Sequence, residues 1–431
     1  MVLSRYAKQI VVVGGGAAGY FCALTSAEAD PSAKVILLEA GSQVLRKVKI
    51  SGGGRCNLTH HCYDPKELST HYPRGAKQLR GAFHHFQPRD TISWFESRGV
   101  KTRVETDGRI FPVSDNSQSV IECLLGEARR LRVVTRRNAR VTGLEMKKDR
   151  WAVEINREET IDADRVCLAL GSLKGTGMED ILIGLGHTLS PLLPSLFAFN
   201  LPEHPLKELA GLSVPHATAC ISPNGKAQSG PLLITHRGLS GPCILRLSAW
   251  EAEALAACGY QFEVQINWLG NLSVDQTRQE IQSYRKERAV AQIGTNPREE
   301  LPKRLWTALV SQAGIAKETT WAHLSKDEEK NLLKTLTEYR AKVQGKTTNK
   351  VKVNDSLVAK GMKKEVPAEF VTAGGISRKE IDWRTMESKI VPGLHFAGEC
   401  IDYDGITGGF NFQGAWTTGR IAGLAIATDP S

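Results

Sequence analysis

Ile10-Val11-Val12-Val13-Gly14-Gly15-Gly16-Ala17-Ala18-Gly19, followed by Val35-Ile36-Leu37-Leu38-Glu39-Ala40, is the stretch whose reading decides the fold. An apolar β-branched run enters a glycine turn, a helical segment follows, and a second apolar run ends in an acid. That order is the β-turn-α-β unit that holds a dinucleotide. Each glycine of the Gly14-x-Gly16-x-x-Gly19 spacing has its own physical reason. Gly14 lets the chain turn sharply out of the strand. Gly16 offers no side chain, so a pyrophosphate can approach the backbone, and Gly19 lets the helix lie close on the sheet. Ala17 and Ala18 open that helix, whose first N–H groups face the phosphates. Glu39, about 20 residues on, stands where a carboxylate accepts the hydroxyls of an adenosine ribose, with Ala40 beside it. Triplet, flanking strands and acid together outweigh the alternative of a purely structural turn.

A chain of 431 residues exceeds what one simple core serves, so two or three domains are expected. Hydrophobic content of 41% with 24% charged residues is ordinary for a soluble globular protein. No apolar run approaches the ~18 residues of a membrane span, and residues 1–9 do not resemble a signal peptide. A cytoplasmic protein with no membrane partner is expected. The nine cysteines are scattered and form no Cys-x-x-Cys pair, so neither a disulfide framework nor a structural zinc site is expected, and no metal. The net charge of +10 favours polyanionic partners. Its basic clusters (Arg129, Arg130 and Arg132 among them) accompany no recognisable nucleic-acid module, and solvated faces account for them equally well.

A second glycine run follows the acid: Ser51-Gly52-Gly53-Gly54-Arg55-Cys56-Asn57. Three glycines after a hydroxyl residue give a loop with several exposed N–H groups, suited to an anion or a flat ring. Cys56 and Asn57 just beyond it point to cofactor contact rather than a flexible surface loop.

This run resembles the hallmark of the BaiN/RdsA-like family of NAD(P)H- and FAD-dependent bacterial flavoproteins, also called the aminoacetone oxidase family. The likeness recurs in order along the chain. It covers Gly108-Arg109-Ile110-Phe111-Pro112, Leu232-Leu233-Ile234-Thr235-His236-Arg237-Gly238-Leu239-Ser240-Gly241-Pro242, Thr385-Met386-Glu387-Ser388-Lys389, Phe396-Ala397-Gly398-Glu399, and Asp404-Gly405-Ile406-Thr407-Gly408-Gly409-Phe410-Asn411-Phe412-Gln413. The resemblance implies an α/β fold: a Rossmann-type FAD-binding domain, parallel sheet plus antiparallel meander, carrying a β-barrel-like insert with a helical subdomain nested in it. It also implies Glu399 as acceptor for a ribityl hydroxyl. One segment departs from the family, since Gly171-Ser172-Leu173-Lys174-Gly175-Thr176-Gly177 is shorter than usual, which bears on substrate preference.

The expected organisation is an N-terminal part of the FAD domain over 1–190, a β-rich insert over 191–272, a helical insert over 273–342, a return or linker over 343–365, and the C-terminal part of the FAD domain over 366–431. Asp90–Phe95 reads as one helix face. Val133-Val134, Arg140–Leu144 and Trp151–Ile155 read as an antiparallel meander. Val166–Gly171 is a buried strand returning the chain to the cofactor at Gly171. Pro191 to Pro215 break long helices, Phe262–Ile266 is a strand, and Trp306, Leu309, Leu332, Leu333 and Leu336 give helical apolar faces. Gly345–Asn349 reads as a linker, and Glu369–Ile376 as the strand that re-enters the FAD domain. Gly405–Gln413 opens a helix whose first N–H groups can face the pyrimidine end of a flavin, Gly408 and Gly409 allowing that approach beside Phe410 and Asn411. Asp402 and Asp404 read as loop or cap acids.

With the one dinucleotide fingerprint spent on FAD, NAD(P)H is expected as a transient reductant in the substrate cleft, in a ping-pong cycle. The resemblance implies two activities: reduction of conjugated C=C bonds in small molecules, and reduction of a uridine of large-subunit ribosomal RNA to dihydrouridine, the basic charge favouring the second. Both need hydride at the carbon β to a carbonyl and a proton at the α carbon. The candidate proton donors are Cys56, with a buried packing thiol as the alternative, then Tyr403 and His236, the last equally a turn-stabilising residue. A small-molecule enone reductase or amine oxidase, and a non-catalytic flavin-containing RNA-binding or redox-sensing protein, are the competing readings. A monomer is expected.

Overall fold

The computed structural model describes residues 8–221, 225–295, 300–347, 349–352, 365–368 and 371–428, with backbone alone for 349–352 and 365–368. The chain forms two compact units, Met1–Leu192 with Val371–Ser431, and Leu193–Phe370.

In the first unit, β1 (Gln9–Val13), α1 (Ala17–Ala29) and β2 (Lys34–Leu38) are the strand, helix and strand of the opening stretch. Ile10, Val11 and Val12 are completely buried, as a central parallel strand covered on both faces requires. β1 pairs in parallel with β2 on one side (Val13↔Leu38) and with Arg165–Leu168 on the other (Val13↔Leu168). Leu394–Phe396 adds in parallel beyond that (Leu168↔Phe396). Gly14, Glu39, Gly171 and Glu399 therefore all emerge at the carboxyl end of one sheet, where open α/β sheets bind ligands. The sheet is completed by Val134–Arg136 at one edge and by the short antiparallel strands Glu387–Ser388 and Ile381–Asp382 at the other.

The expected meander begins one strand later than the sequence suggests. Val134 is not part of the meander: Val134–Arg136 pairs in parallel with β2 (Ile36↔Val134) as an edge of the main sheet. The meander is Val141–Lys147, Arg150–Ile155 and Glu159–Ala163. A two-residue apolar stretch carries no periodicity, so a parallel edge and a hairpin strand read alike.

The helix Phe410–Thr428 closes the unit by packing along α1. Contact is close because Gly419 and Gly423 present no side chains: a methyl on either would stand 2.4 Å from the Ala18 carbonyl oxygen or 2.5 Å from that of Cys22. Beginning and end of the chain thus share one core.

The second unit is a seven-stranded antiparallel sheet in the order Tyr339–Gln344, Gln261–Asn267, Ser213–Ile221, Gln228–Thr235, Gly238–Ser240, Ala198–Asn200, Lys346–Thr347. Helices Val274–Glu287, Lys303–Gln312 and Lys326–Thr337 lie in sequence between two adjacent strands of it. Their buried residues, Trp306, Leu309, Leu332, Leu333 and Leu336 among them, join one continuous hydrophobic cluster with sheet residues Val214, Ile234 and Val264. The stretch expected as a linker instead contributes a strand, since Lys346 and Thr347 pair with Phe199 and Ala198. Of the expected return, Thr348 and 353–364 lie outside the described residues, as do Glu369 and Phe370 of the strand expected to re-enter the FAD domain. Among the described residues no helix is long and apolar enough to cross a membrane.

Candidate functional site

The turn after β1 separates two kinds of glycine. Gly14 has φ +114°, and a methyl there would stand 2.3 Å from the Ala169 carbonyl oxygen. One on Gly19 would stand 1.9 Å from the carbonyl oxygen of Gly14. Both positions are demanded by the protein's own packing. Gly16, at the N-terminus of α1, would meet nothing within 4 Å. That open cradle, at a helix N-terminus beside a strand-borne acid, fits the pyrophosphate of a dinucleotide.

Glu39 is prepared for its neighbour. One carboxylate oxygen accepts the Gly15 N–H (2.9 Å) and the other the Gly41 N–H (2.7 Å), which fixes the plane and leaves lone pairs on both oxygens. Ala40 is exposed beside it. Glu399 is held similarly, by the Thr372 N–H (2.9 Å) and by the Lys47 ammonium (2.5 Å). A methyl on Gly171 would meet only Glu399, at 3.9 Å. Lys47 has no role in the sequence reading, although its helix, Arg46–Ile50, leads straight into the second glycine loop.

In that loop Gly52, Gly53 and Gly54 all have positive φ, of 56°, 71° and 90°. Gly52 is pressed against Phe111 (2.8 Å from a methyl there), whereas Gly53 and Gly54 face open space. Ser51 donates to the Val48 carbonyl (2.9 Å), and Arg55 is committed to Glu105 and Asp115 with its guanidinium over Phe111. Asn57, its amide oriented to pair both groups, accepts from the Gly409 N–H (2.9 Å) and donates to the Thr59 carbonyl (3.1 Å). It couples this loop to the Gly408-Gly409 turn. Both of those glycines have positive φ, and a methyl on Gly409 would strike the Thr59 carbonyl at 2.6 Å.

Other expected site residues have inward duties. Asn411 spends its amide on the Gly405 N–H and carbonyl (2.9 and 2.7 Å), closing the turn ahead of the helix. Phe410 is buried and in ring contact with two imidazoles, His60 (4.6 Å between ring centroids) and His71 (4.3 Å), which also lie 6.0 Å from each other. Asp404 is no cap: it is fully buried and paired through both oxygens with Arg74, at 2.5 Å each.

The three proton-donor candidates have different surroundings. Cys56 is completely buried, and burial pushes its thiol up to about 12, which matches the packing alternative. Tyr403 is buried against Gly414, its hydroxyl 3.4 Å from that of Thr418, and burial raises it far above its usual range. His236 is exposed in the turn between Gln228–Thr235 and Gly238–Ser240, in the second unit. His60, missed in sequence because nothing marks its ring as facing the Gly408 turn, lies with a ring carbon 3.4 Å from where a Gly408 methyl would stand.

A buried Ser388–His187–Glu380 chain has the look of a nucleophile triad, with 3.0 Å at both links. Yet the Ser388 hydroxyl already accepts the N–H groups of Ile390 (3.1 Å) and Val391 (2.9 Å), so its proton goes to His187 and no lone pair is left for attack. It is a brace.

A parallel sheet whose carboxyl end carries the open helix N-terminus at Gly16, the strand-end acid Glu39 and a second glycine loop fits FAD, and the chain is an FAD-dependent oxidoreductase. The chain belongs to the HI0933-like Rossmann-domain family, which matches residues 8–425 and is the family its motifs resemble. It is 29% identical to the 3-dehydro-bile acid delta(4,6)-reductase of Clostridium scindens, over 98% of this chain and 100% of that one. To the ribosomal RNA dihydrouridine synthase of Escherichia coli it is 29% identical, over 95% of each chain. The same-named enzyme of Haemophilus influenzae is 28% identical over 99% of this chain and 100% of its own.

Proposed function

We propose that the protein uses NAD(P)H to reduce an activated C=C bond, its substrate a uridine of large-subunit ribosomal RNA, in the cytoplasm and as a monomer. The observation that carries the reading is the open space beside Gly16 in the turn after β1 and beside Gly53 and Gly54 in the second glycine loop, where an added methyl would meet no protein atom within 4 Å. In this reading Gly14, Gly16, Ala17, Ala18 and Gly19 cradle the pyrophosphate, and Glu39 and Ala40 take the adenosine ribose. Glu399 with Lys47 takes the ribityl chain beside Gly171. Ser51 to Asn57 flank the ring system, while the turn from Gly408 to Asn411 presents N–H groups to its pyrimidine end. When bound, the flavin supplies hydride transfer. The chain's own part is to orient it, exclude water and deliver a proton.

We assign proton delivery to His60 rather than to Cys56 or Tyr403, whose burial raises both groups well above their ordinary ranges and makes them weaker acids. His60→Gln is expected to lower turnover about 100-fold with flavin content unchanged. Unaltered turnover removes the assignment.

The net charge of +10 and the two dihydrouridine synthases among the relatives support an RNA substrate. The bile-acid reductase relative supports a second reading, reduction of a small-molecule enone. Anaerobic reduction of the yellow protein by NADPH, followed by unmodified ribosomal RNA, separates them. Flavin reoxidation with loss of uridine absorbance is the expected result. Reoxidation by an enone but not by RNA moves the conclusion to the second reading, and failure of both NADPH and NADH to bleach the flavin overturns NAD(P)H as reductant.

A further inference from the structure

Cysteine spacing alone gives no reason to expect a metal, but folding brings together three ligand types that spacing rules do not join. Cys62, Glu67 and His71 each offer one donor atom, and the three atoms lie within 4.8 Å of one another. We propose that they form a binding site for a single divalent cation of the zinc class, leaving one coordination position open.

The local fold explains the convergence. Asp64 caps the short helix Pro65–Ser69 by accepting the Lys66 N–H (2.7 Å), and the turn continues through Thr70 and His71, whose N–H groups donate to Glu67 and Leu68. Glu67 and His71 are four residues apart and project from one side of that turn. Cys62 precedes the cap and folds back towards them. Cys62 is buried, 4% exposed, whereas Glu67 is exposed and His71 half-buried. Burial and the Glu67 and Asp64 carboxylates together push the Cys62 thiol up to about 11. The His71 ring is held flat on Phe410 (interplanar angle 21°), which sets its direction.

A thiolate, an imidazole and a carboxylate select a borderline-soft ion over magnesium or calcium. Zinc bonds of about 2.0–2.3 Å place tetrahedral ligand atoms about 3.5 Å apart, so closure needs movements of about 1 Å. Binding releases the thiol proton and puts a +2 charge against the thiolate and carboxylates. The cation would also fasten the loop behind Phe410, where the Ile406 N–H already donates to the His71 carbonyl (3.0 Å).

The test is titration of the chelator-dialysed, FAD-loaded full-length protein with Zn²⁺ against a chromophoric chelator, and with Co²⁺ followed by absorption. One equivalent and a cobalt–thiolate charge-transfer band are expected. Cys62→Ser, His71→Gln and Glu67→Gln should each weaken binding by more than the about 10–100-fold that loss of an outer-shell partner causes. Cys258→Ser, at an exposed cysteine elsewhere, should not. Should Cys62→Ser fail to fold, Glu67→Gln, at an exposed position, carries the same comparison. Substoichiometric binding, a cobalt spectrum without the thiolate band, or affinity unchanged in the folded ligand variants overturns the site.

Discussion

The two glycine loops of the first unit look alike in sequence but are built for different reasons. In the loop after β1, Gly14 and Gly19 are required by close approach of protein to protein, and Gly16 alone faces empty space. In Ser51–Gly54 the proportions reverse: Gly52 packs against Phe111, while Gly53 and Gly54 touch nothing. The first loop is a folding device with one ligand position in it. The second is a ligand surface with one folding position. Backbone geometry separates them again, because Gly16 has an ordinary extended conformation (φ −92°) whereas Gly53 and Gly54 have positive φ. Substitutions should therefore divide between loss of the fold and loss of the flavin.

The largest effect is expected at Gly19. A Gly19→Ala methyl 1.9 Å from the Gly14 carbonyl oxygen cannot be relieved without parting α1 from the sheet. A loss of about 4 kcal/mol or more follows, read by denaturant unfolding or as insoluble protein. A Gly19→Ala protein of normal stability would mean that the turn is not built as described.

Gly16→Val is the matching break on the ligand side. The site has room and an allowed φ, so stability without flavin should change by no more than about 0.5 kcal/mol. Flavin affinity should drop at least about 100-fold, about 2.7 kcal/mol, giving colourless protein that unfolds normally. Stoichiometric flavin in Gly16→Val would remove the cradle from the site.

Legibility follows the same division. The β1–α1–β2 unit was readable because each residue type answers a local demand: β-branched residues for a buried strand, glycine for a turn, an acid at a strand end. The ends of the chain could be brought together through Glu399 and the Gly408 turn only by family resemblance. What escaped reading depends on contacts between distant segments. Lys47 meets Glu399 from 352 residues away, Asp404 is neutralised by Arg74, and His60 and His71 cluster with Phe410. No local pattern encodes such partners. Val134 and Lys346–Thr347 differ from the sequence expectation because strands of two or three residues take their identity from the strand beside them.

A smaller effect is expected in the second loop. Gly53→Ala introduces no clash but holds an L-residue at φ +71°, which costs about 1–2 kcal/mol. Thermal unfolding should shift down by a few degrees. Excess flavin should recover part of that shift if the loop is a ligand surface, since binding stabilises the native state alone. A shift that flavin leaves untouched would make Gly53 a folding position like Gly14.

The smallest effect is expected at Cys56, which adjoins this loop but belongs with the folding positions. Burial raises its folded pKa to about 12, above the unfolded thiol's about 8.5, so the protonated thiol's stabilising contribution is complete at neutral pH. It is lost only as pH rises from the unfolded value towards the folded one. Cys56→Ala should accordingly lower turnover less than tenfold, against the 10²–10⁴-fold typical of a lost general acid. Its pH–rate profile between about pH 6 and 8 should overlay the wild type's, where no thiol of this kind titrates. In the native protein iodoacetamide at pH 8 should modify exposed Cys258 and spare Cys56. A Cys56→Ala enzyme a hundredfold slower, or rapid alkylation of Cys56 in the folded state, would place the thiol among the ligand-facing residues and dissolve the distinction between the two sides of this loop.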